Sequence, residues 1–392
     1  MKEQGYVYVV ALSVVAFLTF AGASLLIGSA ADSNMSAYSR NQSAALHVAD
    51  AGVDQAGRNL RTPTDLSDDV TMATLPTGTF TVDSPPTALG ANRWQVISHG
   101  ASIRDPDQMR NIEAIFNLVP QSIFQFALFG AQNLAISGNA NTDSYDSRLG
   151  AYGACLSDCG GANPVYNTDS NGDVGTNATA AGGITLDGSI FIDGRVAVGP
   201  GVADPISVVT GYDPTFISGD PKVSAQSDTF PMPDVTVPDG LTCTDYTVSG
   251  NTTVTLAPGT YCYENLTVQG GGNLTTDGTG QVTIYITGQF IARGDSTIGY
   301  LSDPRKMAVM LSAGTEATID QGTFGGSTEF YGALYGPKAT IDINGNAKVF
   351  GSIIANTIAL DGDAEIHYDQ AMTDLSQLSN VYQSTLISWR EI

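Results

Sequence analysis

Hydrophobic and polar positions follow three different rhythms along this 392-residue chain. The first is an unbroken apolar run. From Tyr6 to Ala31 there is no Asp, Glu, Lys, Arg or His, and at about 1.5 Å per residue such a stretch, wound as a helix, outreaches the roughly 30 Å hydrocarbon layer of a bilayer. Beyond it Met35, Tyr38, Ala45, Ala49, Val53, Ala56 and Leu60 recur at helical steps, and no proline occurs before Pro63. The pattern predicts one long helix over residues 1–60, half in lipid and half outside. A cleavable secretory signal is the rival reading, with Lys2 ahead of the apolar run and Ala21-Gly22-Ala23 as its processing site.

Over residues 61–120 the rhythm becomes two. Thr79-Phe-Thr-Val82, Arg93-Trp-Gln-Val-Ile-Ser98 and the stretch from Arg110 to Leu118 alternate apolar with polar side chains. Pro85-Pro86, Gly90 and Asp105-Pro106 supply turn signals between them. A small antiparallel sheet packed on the exposed half of the helix is expected.

Residues 121–392 carry a repeat. Ala339-Thr-Ile-Asp-Ile-Asn-Gly-Asn-Ala-Lys-Val-Phe350 aligns without gaps on Asn356-Thr-Ile-Ala-Leu-Asp-Gly-Asp-Ala-Glu-Ile-His367, a shift of 17 residues. Its kernel is two apolar residues at i and i+2, then a polar residue, Gly, a second polar residue and Ala. The kernel recurs as Leu134-Ala-Ile-Ser-Gly-Asn-Ala140, with weaker copies at Ile184 to Gly188, Tyr246 to Gly250 and Ile284 to Gly288; Gly332 and Gly351 form a further pair 19 apart. The apolar pair points to one side of a strand, and the polar-Gly step turns the chain where most side chains resist left-handed geometry. Repeated every 17 to 22 residues, with each coil paired to the next, this winds a parallel β-solenoid. An antiparallel sandwich with Gly-rich hairpins is the alternative. The fold class expected is therefore mainly β with one long N-terminal α-helix. Its parts are a transmembrane and stalk helix (1–60), a small antiparallel sheet (61–120) and a parallel β-solenoid or β-helix (121–392).

Composition narrows the partners. The chain has 39 Asp+Glu against 16 Lys+Arg, for a net charge of -23. Phosphate backbones and anionic headgroups would repel it, which disfavours a nucleic-acid partner. With 42% apolar residues it is no disordered acidic tail, and 44 glycines fit many tight turns.

Gly5 followed by Tyr6-Val-Tyr-Val-Val-Ala-Leu12, with Ser43-Ala-Ala-Leu-His-Val-Ala-Asp-Ala-Gly52 beyond the membrane, resembles the N-terminal stalk of type IV pilins and pseudopilins, most closely the PilX-type minor pilin-assembly proteins. The second stretch typically ends in Ala-Glu-Ala-Gly in that family; Asp50 takes the acidic place here. The resemblance covers the first sixty residues. It implies processing by a prepilin-type peptidase between Gly5 and Tyr6. Two departures bear on that: Val10 stands where a major pilin has Glu, and Tyr6 replaces the commoner Phe or Met after the glycine. The missing carboxylate fits a minor, tip or priming component. Thr142-Asp-Ser-Tyr-Asp-Ser147, Phe330-Tyr-Gly-Ala-Leu-Tyr335, the repeat from Ala339 to Ala347 and the ending Ile387-Ser-Trp-Arg-Glu391 resemble the solenoid-like domain found downstream of PilX-type helices. Together these resemblances imply a large extracytoplasmic head on a pilin-like stalk, held by one span in the inner or cytoplasmic membrane and displayed in the periplasm or outside the cell. The partners implied are other pilin-like subunits, met through the apolar helix face, in a surface filament or its assembly machinery.

Candidate chemistry is sparse. Cys155, Cys159, Cys243 and Cys262 are even in number, and outside the cytoplasm they suggest two disulfides; neighbour pairing is favoured among three connectivities. Zinc fits poorly, because no C-x2-C spacing occurs and His47, His99 and His367 lie far from the cysteines in sequence. Acid/base sugar chemistry would need two carboxylates about 5 to 9 Å apart. Asp143 and Asp146, Asp187 and Asp193, and Asp342, Asp361 and Asp363 form only loose groupings, explained equally by turn formation. Calcium on such turns lacks an EF-hand loop or nine-residue repeat, and Gly270-Gly271-Gly272 lacks a phosphate-loop arrangement. Asn251-Thr-Thr253 and Asn265-Leu-Thr267 matter only in a host that glycosylates them. No catalytic residue, metal or cofactor is assigned. The expected function is a membrane-anchored pilin-like structural or assembly protein; a surface adhesin or carbohydrate-binding module is the alternative, and a secreted polysaccharide-active enzyme stands third.

Overall fold

The computed structural model describes residues 3–63, 69–312, 319–378 and 381–392; Met1 and Lys2 lie outside them. The protein is mainly β with one long N-terminal helix. It divides into two compact units, Met1–Val119 with Tyr382–Ile392, and Pro120–Val381.

In the first unit, helix α1 (Glu3–Asn59) runs without a break. Its two halves live in different surroundings. Leu12, Phe17, Phe20 and Leu25 are each more than 70% exposed, whereas Ala45, Val48, Ala49, Val53, Ala56 and Leu60 are buried. Val48, Ala49, Val53, Ala56 and Leu60 pack on Phe80, Val82, Val96, Ile112, Ala114, Phe116 and Leu118. Met35 and Tyr38, which share the helical stripe in sequence, stay exposed, because the packed face begins only at Ala45. The sheet comprises β1 (Met72–Leu75), β2 (Gly78–Val82), β3 (Thr87–Gly90), β4 (Arg93–Ser102) and β5 (Asp105–Gln121). It is antiparallel in the order β1-β2-β4-β5, with β3 on β4, and the C-terminal strand (Val381–Glu391) hydrogen-bonds to β5. Asp105-Pro106, read as a turn from sequence, opens β5, and the chain turns at Ile103 and Arg104 instead. Helix and sheet meet closely at Gly100: a Cβ there would sit 2.2 Å from the Ala45 carbonyl oxygen and 2.4 Å from the Ala49 nitrogen. The buried Ser98 hydroxyl donates to the Ala49 carbonyl at 2.7 Å in the same contact.

The second unit is a solenoid with three walls of parallel strands. The sequence repeat is its register: Ile341 pairs with Ile358 and Ile343 with Leu360 on one wall, and Lys348 pairs with Glu365 on the next. Leu134 pairs with Ile358 on one side and Ile184 on the other. The kernels are therefore successive rungs of one wall. Ile284 to Gly288 belongs elsewhere, since Ile284 pairs with Tyr261 and Val309 on the third wall. Coils run 17 residues from Ile341 to Ile358, 20 from Thr247 to Thr267, 24 from Leu266 to Phe290 and 32 from Phe290 to Gly322. This exceeds the range expected, because extra residues enter at corners, as in the turn Pro304–Lys306, where loop length costs little. One corner is a column of glycines, Gly270, Gly294, Gly326, Gly345, Gly362, Gly138 and Gly188, all at positive φ and each backbone against the next. Leu134, Ile284, Phe290, Phe324, Ile341 and Ile358 fill the interior at 0% exposure.

Coil order in space departs from coil order in sequence. Leu128–Gly138, the opening strand, lies between Ile184–Gly188 and the last long strand, Lys348–Leu360. From it the chain winds one way to Val223–Ala225, then restarts at Thr244–Ser249 and winds back. The connection over residues 226–243 crosses the third wall. Phe230 sits 4.5 Å from the Phe129 ring, the Tyr335 hydroxyl donates to the Pro233 carbonyl, and the Ser312 hydroxyl donates to the Val235 carbonyl at 2.9 Å. Pro231, Pro233 and Pro238 suit an extended strap, having no N–H to leave unpaired.

Candidate functional site

Two regions gather the residues singled out from sequence. The first is α1 itself. It is long and apolar enough to cross a membrane by length and composition. Gly5 and Tyr6 lie in its first turns. His47 and Asp50 sit on its exposed side, and Asp50 accepts from the Trp389 indole N–H at 3.1 Å.

The second region is the outer face of the solenoid's second wall. Here successive rungs place Tyr331, Phe350, His367 and Asp143 in one outward column. Tyr331 and Phe350 stack at 4.5 Å and 5°, and Phe350 lies 4.8 Å from the His367 ring. His367 Nδ1 is 2.6 Å from Asp143 Oδ1 and its Nε2 is 3.2 Å from Glu365 Oε2. Lys348 pairs with Glu365 at 2.8 Å. A loop over residues 146–173 folds across this column: the Tyr152 ring stacks 3.9 Å from His367, and its hydroxyl donates to Asp143 Oδ2 at 2.6 Å. The Asn167 side chain ties the loop to itself, donating to the carbonyls of Asp146 and Gly150. Burial pushes the Glu365 carboxyl up, but the Lys348 and His367 contacts outweigh it and leave the group below its ordinary value. Burial, the Asp143 bond and nearby carboxylate charge all raise the Tyr152 phenol, which stays neutral.

Beside this column lies an ion network. Arg148 pairs with Asp146 at 2.8 Å, Arg305 with Asp303 at 2.8 Å, and both arginines reach Asp374. Asp369, fully buried, accepts from the backbone N–H groups of Ser147 and Ala371. Burial raises its carboxyl above the ordinary value, while the Arg148 bond holds Asp146 below its own. The signs oppose. A raised acid binds its proton more tightly when folded, so its contribution falls as pH rises through the interval above about 4; the lowered Asp146 and Glu365 contribute above their unfolded values and lose that contribution on acidification. Asp369→Asn is therefore expected to stabilise the protein at pH 7 relative to its effect at pH 4, by about 1.4 kcal/mol per pKa unit of the native shift. Thermal midpoints of both proteins across pH check this.

The remaining sequence candidates stay apart. Asp342 stands between Thr323 and Ala359 on adjacent coils, Asp187 pairs with Ser137, and Asp193 accepts from the Ser218 hydroxyl. Asp361 and Asp363 accept from Ser137 and Asn139, bracing the glycine corner. His99 bridges Asn111 and Asp83 on the first unit's sheet. Disulfides join Cys155 to Cys159 and Cys243 to Cys262; the second links neighbouring coils, since Thr244 and Tyr263 pair in register. Gly270 and Gly271 turn at positive φ, and no group of three or more His, Cys, Asp or Glu suited to a metal occurs among the described residues. Lys348, Glu365 and Tyr152 were missed from sequence. Lys348 and Glu365 are one repeat apart, a signal that could have paired them.

Comparison with known proteins adds the following. Residues 218–375 match a family described as a domain of unknown function, DUF7305. No curated protein matches the chain. Among solved structures, an ice binding protein from an Antarctic Biological Consortium is 18% identical with a TM-score of 0.33, covering 64% of this chain and 90% of that one. The ice-binding protein_1 DUF3494 domain of Shewanella frigidimarina is 16% identical with a TM-score of 0.35, covering 65% and 99%. The competence-associated pilin ComZ from Thermus thermophilus is 11% identical with a TM-score of 0.24, covering 90% and 97%.

Proposed function

We propose that this chain is a membrane-anchored, pilin-like structural or assembly protein, of the minor-pilin kind that PilX-type proteins represent, carrying an acidic solenoid head outside the cytoplasm. The observation that supports this reading is the division of labour within α1. One continuous helix leaves Val10 to Ile27 without protein cover and devotes the stretch from Ala45 to Ala56 to the core of a helix-on-sheet unit. Exposed Leu, Phe and Ile at that density are unfavourable in water and suit lipid or the apolar helices of neighbouring subunits. On this reading the partners are other pilin-like subunits, the anchor is a single span of the inner membrane, and the head is non-catalytic. The saturated contacts of His367 and Asp143 favour a structural over an acid/base role.

The mature N-terminus tests the reading. Mass spectrometry of protein isolated from membranes is expected to show either the intact leader or a chain beginning at Tyr6. A chain beginning near Ser24 would mean a cleaved secretory signal and would overturn the anchor.

A further inference from the structure

We propose that Asn344 is a site of spontaneous deamidation, at which the main-chain nitrogen of Gly345 displaces the side-chain amide as ammonia and an acid is left in its place. This is a property of the solenoid and stands apart from the pilin reading.

Asn-Gly steps occur at Asn171-Gly172 and Asn344-Gly345, and the fold holds them differently. An Asn side chain reaches readily for the main chain just ahead of it, and a following Gly has no Cβ to obstruct the approach. At the first step that approach is blocked. The buried Gly172 N–H donates to the Asp193 carbonyl at 2.8 Å, and the Asn171 side-chain amide donates to Asp169 Oδ2 at 2.8 Å. At the second step Asn344 and Gly345 are both exposed. Neither the Asn344 side chain nor the Gly345 N–H has a hydrogen-bond partner among the described residues.

The neighbouring coil shows the reach. Asn344 and Asp361 hold the same place in successive corners: the Asn344 N–H donates to the Phe324 carbonyl as that of Asp361 does to Ile343, and the Asn346 N–H donates to Gly326 as that of Asp363 does to Gly345. Gly345 and Gly362 both have positive φ, 72° and 91°. In the second of these corners Asp361 Oδ1 accepts from the Gly362 N–H at 2.9 Å. The corner thus lets a side chain of this length touch the next glycine nitrogen, and at Asn344 the group within reach is an amide carbon able to release ammonia. Asp361 has no comparable leaving group.

Water is the co-reactant that balances the chemistry. The Gly345 nitrogen gives up its proton and bonds to Asn344 Cγ, closing a succinimide; the Cγ–Nδ2 bond breaks and the proton leaves on ammonia. Water then cleaves the ring at Cγ, which restores the main chain with Asp at 344, or at the original peptide carbon, which gives isoaspartate. The corner favours the first product. Asp can accept the Gly345 N–H as Asp361 accepts that of Gly362, whereas isoaspartate lengthens the main chain where a Cβ on Gly345 would already lie 3.1 Å from the Gly326 nitrogen.

Peptide mass spectrometry of the detergent-solubilised full chain, aged at mildly alkaline pH, tests the proposal, with fragmentation locating the amide-to-acid mass change. Asn344 is expected to convert at least about ten-fold faster than Asn171, which must first break the bonds to Asp193 and Asp169. In the denatured chain the two should convert at similar rates. Asn344→Gln should abolish the change in the peptide from Ala339 to Lys348 and leave Asn171 as before. Conversion of Asn171 as fast as Asn344 in the folded chain, an intact Asn344 over the time the denatured chain needs to convert, the same rate difference after denaturation, or an undiminished change in that peptide of the glutamine variant would each overturn the assignment.

Discussion

Deleting residues 6–31 is expected to move the protein from the membrane fraction to the soluble one almost completely. The segment removed contains the exposed Leu12, Phe17, Phe20, Leu25 and Ile27, and each such residue near the centre of a span favours insertion by roughly 0.3–0.6 kcal/mol. Summed over a span, the anchor dominates partitioning. What remains keeps its core, since the packed face of α1 begins at Ala45 and every buried partner in the first unit lies beyond the deletion. The truncated chain should thus be folded and monodisperse, with the thermal transition of the full protein. Retention at the membrane would reveal a second anchor. An aggregated product would show that the deleted stretch belongs to the fold, and the anchor reading would fail.

Gly362→Val is expected to destabilise the solenoid by about 2–5 kcal/mol, lowering its thermal midpoint by roughly 10 °C. Gly362 has φ 91°, and a Cβ there would lie 2.6 Å from the Gly345 carbonyl oxygen. The left-handed conformation alone costs an L-residue about 1–2 kcal/mol, and forcing a close-packed contact apart adds about 1–3 kcal/mol. Gly201→Val separates the two effects. Gly201 also has positive φ, at 76°, yet nothing lies within 4 Å of its Cβ position, so it should lose only the conformational share. Equal losses at both sites would mean that stacking at the corner contributes nothing. The scan is done by thermal or denaturant unfolding of each variant.

Local pattern carried much of this architecture. The 17-residue shift is the physical register between Thr340 and Thr357 and between Lys348 and Glu365, because parallel coils repeat their inward positions wherever the wall is continuous. The same reasoning misplaced Ile284, whose apolar-x-apolar-polar-Gly string matches the kernel but pairs with Val309 on another wall. Every wall of a filled solenoid alternates in the same way, so composition cannot say which wall a strand joins. Coil order was illegible for a different reason. The pairing of Leu134 with Ile358 spans more than half the chain, and nothing near either residue marks the other. The candidate site shared that difficulty. Asp143 and His367 were each noticed, but their contact is set by which coil lies beside the opening strand. The ending Ile387 to Glu391, grouped with the solenoid in sequence, instead completes the first unit's sheet, where Arg390 pairs with Glu113 and Arg110 with Glu391. An alternating strand near a terminus does not announce which sheet it completes.

That returning strand has a temporal consequence. It emerges from the ribosome only after the whole of Pro120–Val381 has been made. At translation speeds of about 5–20 residues per second, β5 waits roughly 10–50 s with one edge bare. During that interval the nascent chain offers unpaired backbone to any passing strand, an exposure that ends when the returning strand docks on β5.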